Sequence, residues 1–221
     1  MKRVLVLVEG QTEEAFVKRV LAPFFQSSEL YLTPTILVTK RVKDGANFKG
    51  GVTSFAKFEN DLSRLLRDSG ALVTTMLDYY ALPMDFPGMS TKSTCGSARE
   101  RARHVEEAVD AHFGSPGNLR TFLTLHEFES LLFADTGVLP DVMAATKHSA
   151  AFAAIRAGVQ TPEEINDGPQ SAPSKRIEAL FPGYRKTLHG PNAIQRIGIE
   201  RIRQECPHLA QWLTDIEAFA G

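Results

Sequence analysis

The most constraining stretch of the sequence is its start, where Val4-Leu5-Val6-Leu7-Val8 runs unbroken into Glu9-Gly10. A strand with one face in water alternates apolar and polar residues. A strand apolar on both faces belongs to a sheet covered on both sides, as in parallel α/β proteins. Glu9 follows that strand directly, which puts a carboxylate at the strand's carboxyl end, where open α/β sheets bind ligands. Phe16, Val17, Val20, Leu21, Phe24 and Phe25 then fall on one helical stripe, for which Thr12 is a candidate N-cap.

The alternation continues. Residues 31–38 read as a second strand, and 40–51 as a polar, glycine-bearing loop. Phe55, Phe58, Leu62, Leu65 and Leu66 recur at helical spacing, and 71–77 form a third apolar strand that ends at Asp78. Residues 81–96 carry prolines and glycines and read as a loop. Residues 98–113 are a charged amphipathic helix, and 119–125 a fourth strand ending at His126-Glu127. The order β-α-β-α-β-α-β predicts an α/β fold, a Rossmann-like, mostly parallel sheet flanked by helices. Beyond Glu129 the pattern changes to short helices interrupted by prolines such as Pro140, Pro162, Pro173 and Pro191. The expected organisation is an α/β domain over 1–135 and a helical, partly basic extension over 136–221 packed on it.

Composition narrows the class. With 43% hydrophobic and 23% charged residues the chain can build a core, and disorder throughout is excluded. Lys+Arg number 25 against 26 Asp+Glu, so a uniformly basic, nucleic-acid-coating protein is excluded while a local basic patch is not. Cys95 and Cys206 stand far apart at no metal spacing, which argues against a disulfide framework or a zinc knuckle. No apolar run approaches the roughly 18 residues of a membrane span, so the expectation is a cytoplasmic protein with no membrane partner. No GxSxG or GxxxxGK[ST] motif is present, which removes the serine-hydrolase and P-loop routes.

Three strands end in a carboxylate: Glu9, Asp78 and Glu127. If those strands are neighbours, the three groups meet in one crevice and repel. A divalent cation, Mg²⁺ or Mn²⁺, resolves that repulsion with hard oxygen ligands and points to phosphoryl or phosphodiester chemistry. Glu127 and Glu129 point apart on a helix but alike on an extended chain. Glu127, nearer the strand end, is the preferred ligand. Glu129 is read as a helical neighbour of His126. Glu13, one turn after Glu9, is either a further functional acid or a solvated helix-start residue.

Between Pro173 and Arg203 seven basic side chains face two acidic ones. Lys175, Arg176, Arg185 and Lys186 are the candidate phosphate contacts, with Lys175 or Lys186 stabilising charge at phosphorus; the alternative is a solvated basic face. Arg201 and Arg203 read as helix decoration, the 40–43 stretch as a weak basic flank, Trp212 as core, and His104 and His208 as surface residues. Phe86, Pro87 and Met89 either rest on a substrate or, preferably, pack internally.

VEGQTEEAFVKRVL followed by LDYY resembles the Toprim pattern of topoisomerases, primases and nucleases of the overcoming-lysogenization-defect type, with Glu9 and Asp78 at its first two acidic positions. VEGQTE, LDYYALPMDFPG, LHEFESLLF, APSKRIEALFPGYRK and CPHLAQWL together resemble domain-of-unknown-function family 4276, a bacterial Toprim-like family. The resemblance implies a Toprim-like sheet, a Mg²⁺-dependent nuclease, and a place in anti-phage defence beside an ATPase partner. The pattern departs at Tyr80, where the Toprim motif carries a second aspartate; Asp85 or Glu127 is the candidate substitute.

The expected activity is therefore phosphodiester hydrolysis on nucleic acid. Glu9, Asp78 and Glu127 hold the metal, Glu13 is the general base, and Lys175 or Lys186 neutralises the phosphate. The alternative is a non-catalytic adaptor that binds an ATPase or nucleic acid through a degenerate site, and a third reading is a nucleotide phosphohydrolase.

Overall fold

The computed structural model describes residues 1–37, 52–93, 96–166 and 171–219. Among these residues five parallel strands form the sheet: β1 (Lys2–Val8), β2 (Leu30–Ile36), β3 (Ala71–Asp78), β4 (Leu119–Arg120) and β5 (Leu123–Thr124). The order is β2-β1-β3-β4, with β5 pairing the carboxyl end of β3. All eight residues of β3 are buried, as a central strand requires. β2 tolerates Pro34 because it lies at the edge, where a missing N–H leaves no ladder bond unmade on the open side.

The fourth predicted strand is broken. Thr74 Oγ1 donates to Arg120 O at 2.5 Å and Thr75 Oγ1 donates to Phe122 O at 2.7 Å, while Phe122 N donates to Thr75 Oγ1 at 2.9 Å. Buried threonine hydroxyls thus take over the hydrogen bonds where the chain leaves the ladder between β4 and β5.

Helices cover both faces. The helix α1 (Gln11–Phe16) widens into a π-helical stretch, Val17–Leu21, and continues as α2 (Ala22–Gln26). These residues pack in one cluster with Val4, Val6 and Val8. The opposite face buries Leu7, Val73 and Leu77 against α3 (Phe55–Leu65) and α4 (Ala98–His112). Helix α4 begins with a reciprocal capping box between Ser97 and Glu100. Among the described residues the remainder comprises 3₁₀ turns at Phe128–Ala134, Thr146–His148 and Pro162–Glu164 and six helices: α5 (Val138–Val142), α6 (Ser149–Ala157), α7 (Pro173–Leu180), α8 (Lys186–Ile197), α9 (Ile199–Glu205) and α10 (Pro207–Ala218).

These C-terminal helices share the first cluster: Phe128, Ile194, Ile202 and Leu209 are buried with Val4 and Phe16. Trp212 belongs there too. Its ring stacks on Phe122 at 4.4 Å, and its Nε1 donates to Thr74 Oγ1 at 2.7 Å. Phe86 and Met89 are core residues of the opposite face. No helix among the described residues is long and apolar enough to cross a membrane. Cys206 is a buried free thiol; Cys95 and the 40–43 stretch lie outside the described residues.

Candidate acidic site at the strand switch point

From β1 the chain crosses to β2 on one side and β3 pairs on the other, so the strand order reverses between β1 and β3. At such a switch point the connecting helices leave on opposite faces and open a crevice beyond the strand ends. Glu9 and Asp78 stand there. Glu9 N donates to Met76 O at 3.3 Å, which extends the ladder one residue past β1, and Glu9 Oε2 accepts from Asp78 N at 3.1 Å. Asp78 Oδ1 accepts from Thr124 Oγ1 at 2.7 Å and from Phe128 N at 3.2 Å. Glu13 enters from the first turn of α1 and is 4% exposed.

Glu129 completes the cluster from the 3₁₀ turn, fully buried. Lys186, the first residue of α8, reaches its Oε2 at 3.1 Å. Tyr184 Oη donates to Glu129 Oε1 at 3.5 Å, the long limit of a hydrogen bond. Helix α8 gets this close through Gly190, where a Cβ would lie 3.1 Å from Tyr184 Oη, 3.7 Å from Thr12 Cγ2 and 3.8 Å from Phe128 Cε1.

The electrostatics follow from crowding carboxylates out of water. Burial, then the charge of Asp78, pushes Glu9 up to about 7 and Glu13 up to about 8. Burial also pushes Glu129 up to about 7, with Lys186 opposing and Asp78 adding to the rise. Asp78 is raised as well, by burial first, against the pull of Lys186 and the Thr124 hydroxyl. Burial works to lower Lys186, but Glu129, Asp78 and Glu13 prevail and hold it above the usual lysine range. One lysine ammonium thus serves as counter-charge to several acids.

The donor set is chemically suited to a hard divalent cation: carboxylate oxygens only, in excess of the local positive charge. Among the described residues Glu129 Oε2 has no hydrogen-bond partner, and the Lys186 ammonium stands 3.1 Å from it. In the arrangement described, no group of three His, Cys, Asp or Glu side chains among the described residues closes into a metal-holding geometry. Lys186 reaches into the cluster that such an ion would neutralise.

Several sequence expectations change. Glu127 is extended and partly exposed, and its Oε2 accepts from Ser174 N at 2.9 Å, docking the start of α7. Glu129 is the one beside Lys186. It does not pair with His126, whose Nδ1 lies 3.2 Å from Asn166 Nδ2, because the helical turn begins only at Phe128. A carboxylate inside the apolar run FESLLF was the available signal, since a buried acid needs a partner.

Lys175 is not drawn in: it is exposed and pairs with Glu178 at 2.8 Å. Arg176 Nε donates to Ser171 O at 2.7 Å, and Arg185, exposed at the cap of α8, donates its backbone N–H to His189 Nδ1 at 2.9 Å. Asp85 accepts from Phe55 N at 3.0 Å at the start of α3, so it is engaged away from the cluster. Thr12 is no cap; Gly10 holds that position and Thr12 is buried under α8. His208 is buried rather than surface, because Glu106 Oε1 meets its Nε2 at 2.9 Å and Glu163 accepts its backbone N–H at 2.9 Å.

No curated protein sequence matches the chain. Among solved structures, the C-terminal region of the Burkholderia pseudomallei OLD protein is similar at 15% identity and a TM-score of 0.46, over 99% of this chain and 98% of that one. The model of the domain of unknown function DUF4276 matches residues 8–217, nearly the whole chain, and the protein belongs to that family.

Proposed function

We propose that the chain is a Mg²⁺-dependent phosphodiesterase acting on nucleic acid. The observation that carries the reading is the convergence of Glu9, Glu13, Asp78 and Glu129 on Lys186 at the strand switch point, with three of the acids raised to about 7 or 8. Such a cluster weakens the fold unless a cation enters it, a cost characteristic of functional sites. Glu9 and Asp78 are the residues for the metal, with Glu129 in the place expected of Glu127. When bound, Mg²⁺ supplies Lewis-acid neutralisation of the phosphate.

The chain's own groups do the rest. Glu13, poised near 8, takes a proton from the attacking water on its carboxylate oxygen. The Lys186 ammonium neutralises charge that develops on the phosphoryl oxygens. A role in bacterial defence and an ATPase partner belong to the same proposal, on the strength of the motif resemblance.

A second reading has its own support. Tyr80 stands where a second acid belongs in the Toprim pattern, and Asp85 is committed to α3. On that reading the chain is a non-catalytic adaptor. The test is cleavage of single-stranded DNA, RNA and plasmid in Mg²⁺ or Mn²⁺ by the full chain. The nuclease reading expects cleavage that disappears in Glu9→Ala and Asp78→Ala. Intact substrates together with no calorimetric Mn²⁺ binding leave the adaptor.

A further inference from the structure

We propose that Tyr80 is a stacking platform for an unpaired base, which makes single-stranded nucleic acid the ligand of the acidic crevice. The proposal deepens the nucleic-acid reading of that site and rests on it. Tyr80 comes two residues after Asp78, in the 3₁₀ turn Tyr79–Ala81 at the carboxyl end of β3. Its side chain is 47% exposed, and Met84, four residues on, is 64% exposed.

The segment that carries them is firmly seated. Tyr79, Leu82, Phe86 and Met89 are all buried in the core on that face of the sheet, and Lys92 Nζ lies 4.9 Å over the Tyr79 ring. Asp85 ties the same segment to α3. Two large apolar side chains are therefore left in solvent by a stretch whose other large apolar residues, Leu82, Phe86 and Met89, are buried. Both follow Asp78 at the carboxyl end of β3, the end of the sheet at which the four acids and Lys186 meet.

Charge makes the argument stronger. The crevice is acidic, so among the described residues phosphates gain little there beyond Lys186 and an added cation. Affinity has to come from another part of the polymer. Bases offer π-faces, and stacking on an exposed aromatic contributes about 1–3 kcal/mol per base whatever the sequence. Duplex bases are already stacked on one another and pay a few kcal/mol to leave the helix. An aromatic ring beside the site thus favours strands whose bases are free.

The test is fluorescence anisotropy of the full chain with a labelled oligothymidine and with a blunt duplex of equal length, in Ca²⁺ in place of Mg²⁺. The chain should bind the single strand more tightly than the duplex. Tyr80→Phe should keep that affinity within about twofold, while Tyr80→Ala should lose at least about fivefold, the lower end of one stacked base, on the single strand alone. Unchanged single-strand binding in a folded Tyr80→Ala variant overturns the proposal, and so does an equal loss on the duplex or no binding of the single strand by the unaltered chain. The two readings fail separately. Tyr80-dependent binding without cleavage in Mg²⁺ removes the nuclease and keeps the platform; cleavage with binding indifferent to Tyr80→Ala does the reverse.

Discussion

The ammonium of Lys186 lies 3.1 Å from Oε2 of Glu129, a carboxylate with no access to water, while Lys186 itself remains 42% exposed. The pair joins α8 to the turn after β5 and anchors the C-terminal helices over the crevice. Removing one partner of a fully buried ion pair costs roughly 3–5 kcal/mol. Here the lysine is partly solvated and the acid can take up a proton, so Lys186→Met should cost about 1–2 kcal/mol. The loss should appear near pH 8 and shrink near about pH 5, where Glu129 is protonated and needs no cation. Urea denaturation at the two pH values measures it. An equal loss at both would mean that Lys186 acts by packing its stem and not by its charge.

The acids make a broader pH prediction. Glu9, Glu13 and Glu129 titrate at about 7, 8 and 7 in the fold against an ordinary value of 4.5. Across that window the folded chain holds more protons than the unfolded one. Their contribution to stability is therefore complete below about pH 4.5 and is lost as the pH rises through about 7 to 8. Without divalent metal, the melting temperature should fall over that range. Glu13→Gln, which removes one repelling charge, should flatten the fall and raise stability near pH 8 while abolishing activity. Mg²⁺ should restore more stability at about pH 8 than at about pH 6, because it binds the deprotonated acids. A melting temperature indifferent to Mg²⁺ at both pH values contradicts the metal assignment.

What was legible in the sequence follows from this chemistry. β1 and β3 announce themselves because strands buried on both faces leave no charged residue in their central runs, which in β3 are interrupted only by Thr74 and Thr75, and Glu9 and Asp78 are then fixed at the strand ends. The break between β4 and β5 was not legible, because the hydroxyls that replace the ladder belong to Thr74 and Thr75 on another strand. Nearness to the strand end favours Glu127 over Glu129 in the sequence, but the chain is extended at Glu127 and turns at Phe128, and it is Glu129 that meets Lys186. Lys175 and Lys186 look alike in the sequence. Only the packing of α8 on α1 through Gly190 brings the second to the acids and leaves the first outside.

Trp212 provides a prediction about the fold apart from the chemistry. It stacks on Phe122 and donates to Thr74 Oγ1, so it ties α10 to the centre of the sheet. Trp212→Phe keeps the stacking but leaves the buried Thr74 hydroxyl with one fewer partner, at a cost of about 1–2 kcal/mol. Trp212→Ala adds a cavity and should cost about 3–5 kcal/mol. Both variants should keep the activity per folded molecule. Chemical denaturation followed by circular dichroism, which does not depend on the tryptophan signal, measures the two costs. Equal losses would show that the ring contributes nothing beyond its hydrogen bond.

Gly190 links the helix packing to the site. In a helix interior Gly→Ala ordinarily stabilises by about 1 kcal/mol. Here the new methyl would stand 3.1 Å from Tyr184 Oη, closer than an ordinary van der Waals contact, with Thr12 and Phe128 behind it. Either Tyr184 yields, and loosens its hold on Glu129, or α8 shifts and moves Lys186 away from the acids. Gly190→Ala should therefore leave stability within about 1 kcal/mol of the parent, gain offsetting strain, while lowering kcat. The double variant Gly190→Ala/Tyr184→Phe removes the hydroxyl that the methyl meets and should recover most of the activity. Tyr184→Phe alone should lower activity little, since its hydrogen bond to Glu129 is long. Recovery in the double variant would assign the defect to the position of α8; no recovery would assign it to the contacts with Thr12 and Phe128, and the route from Gly190 to Lys186 through Tyr184 would be wrong.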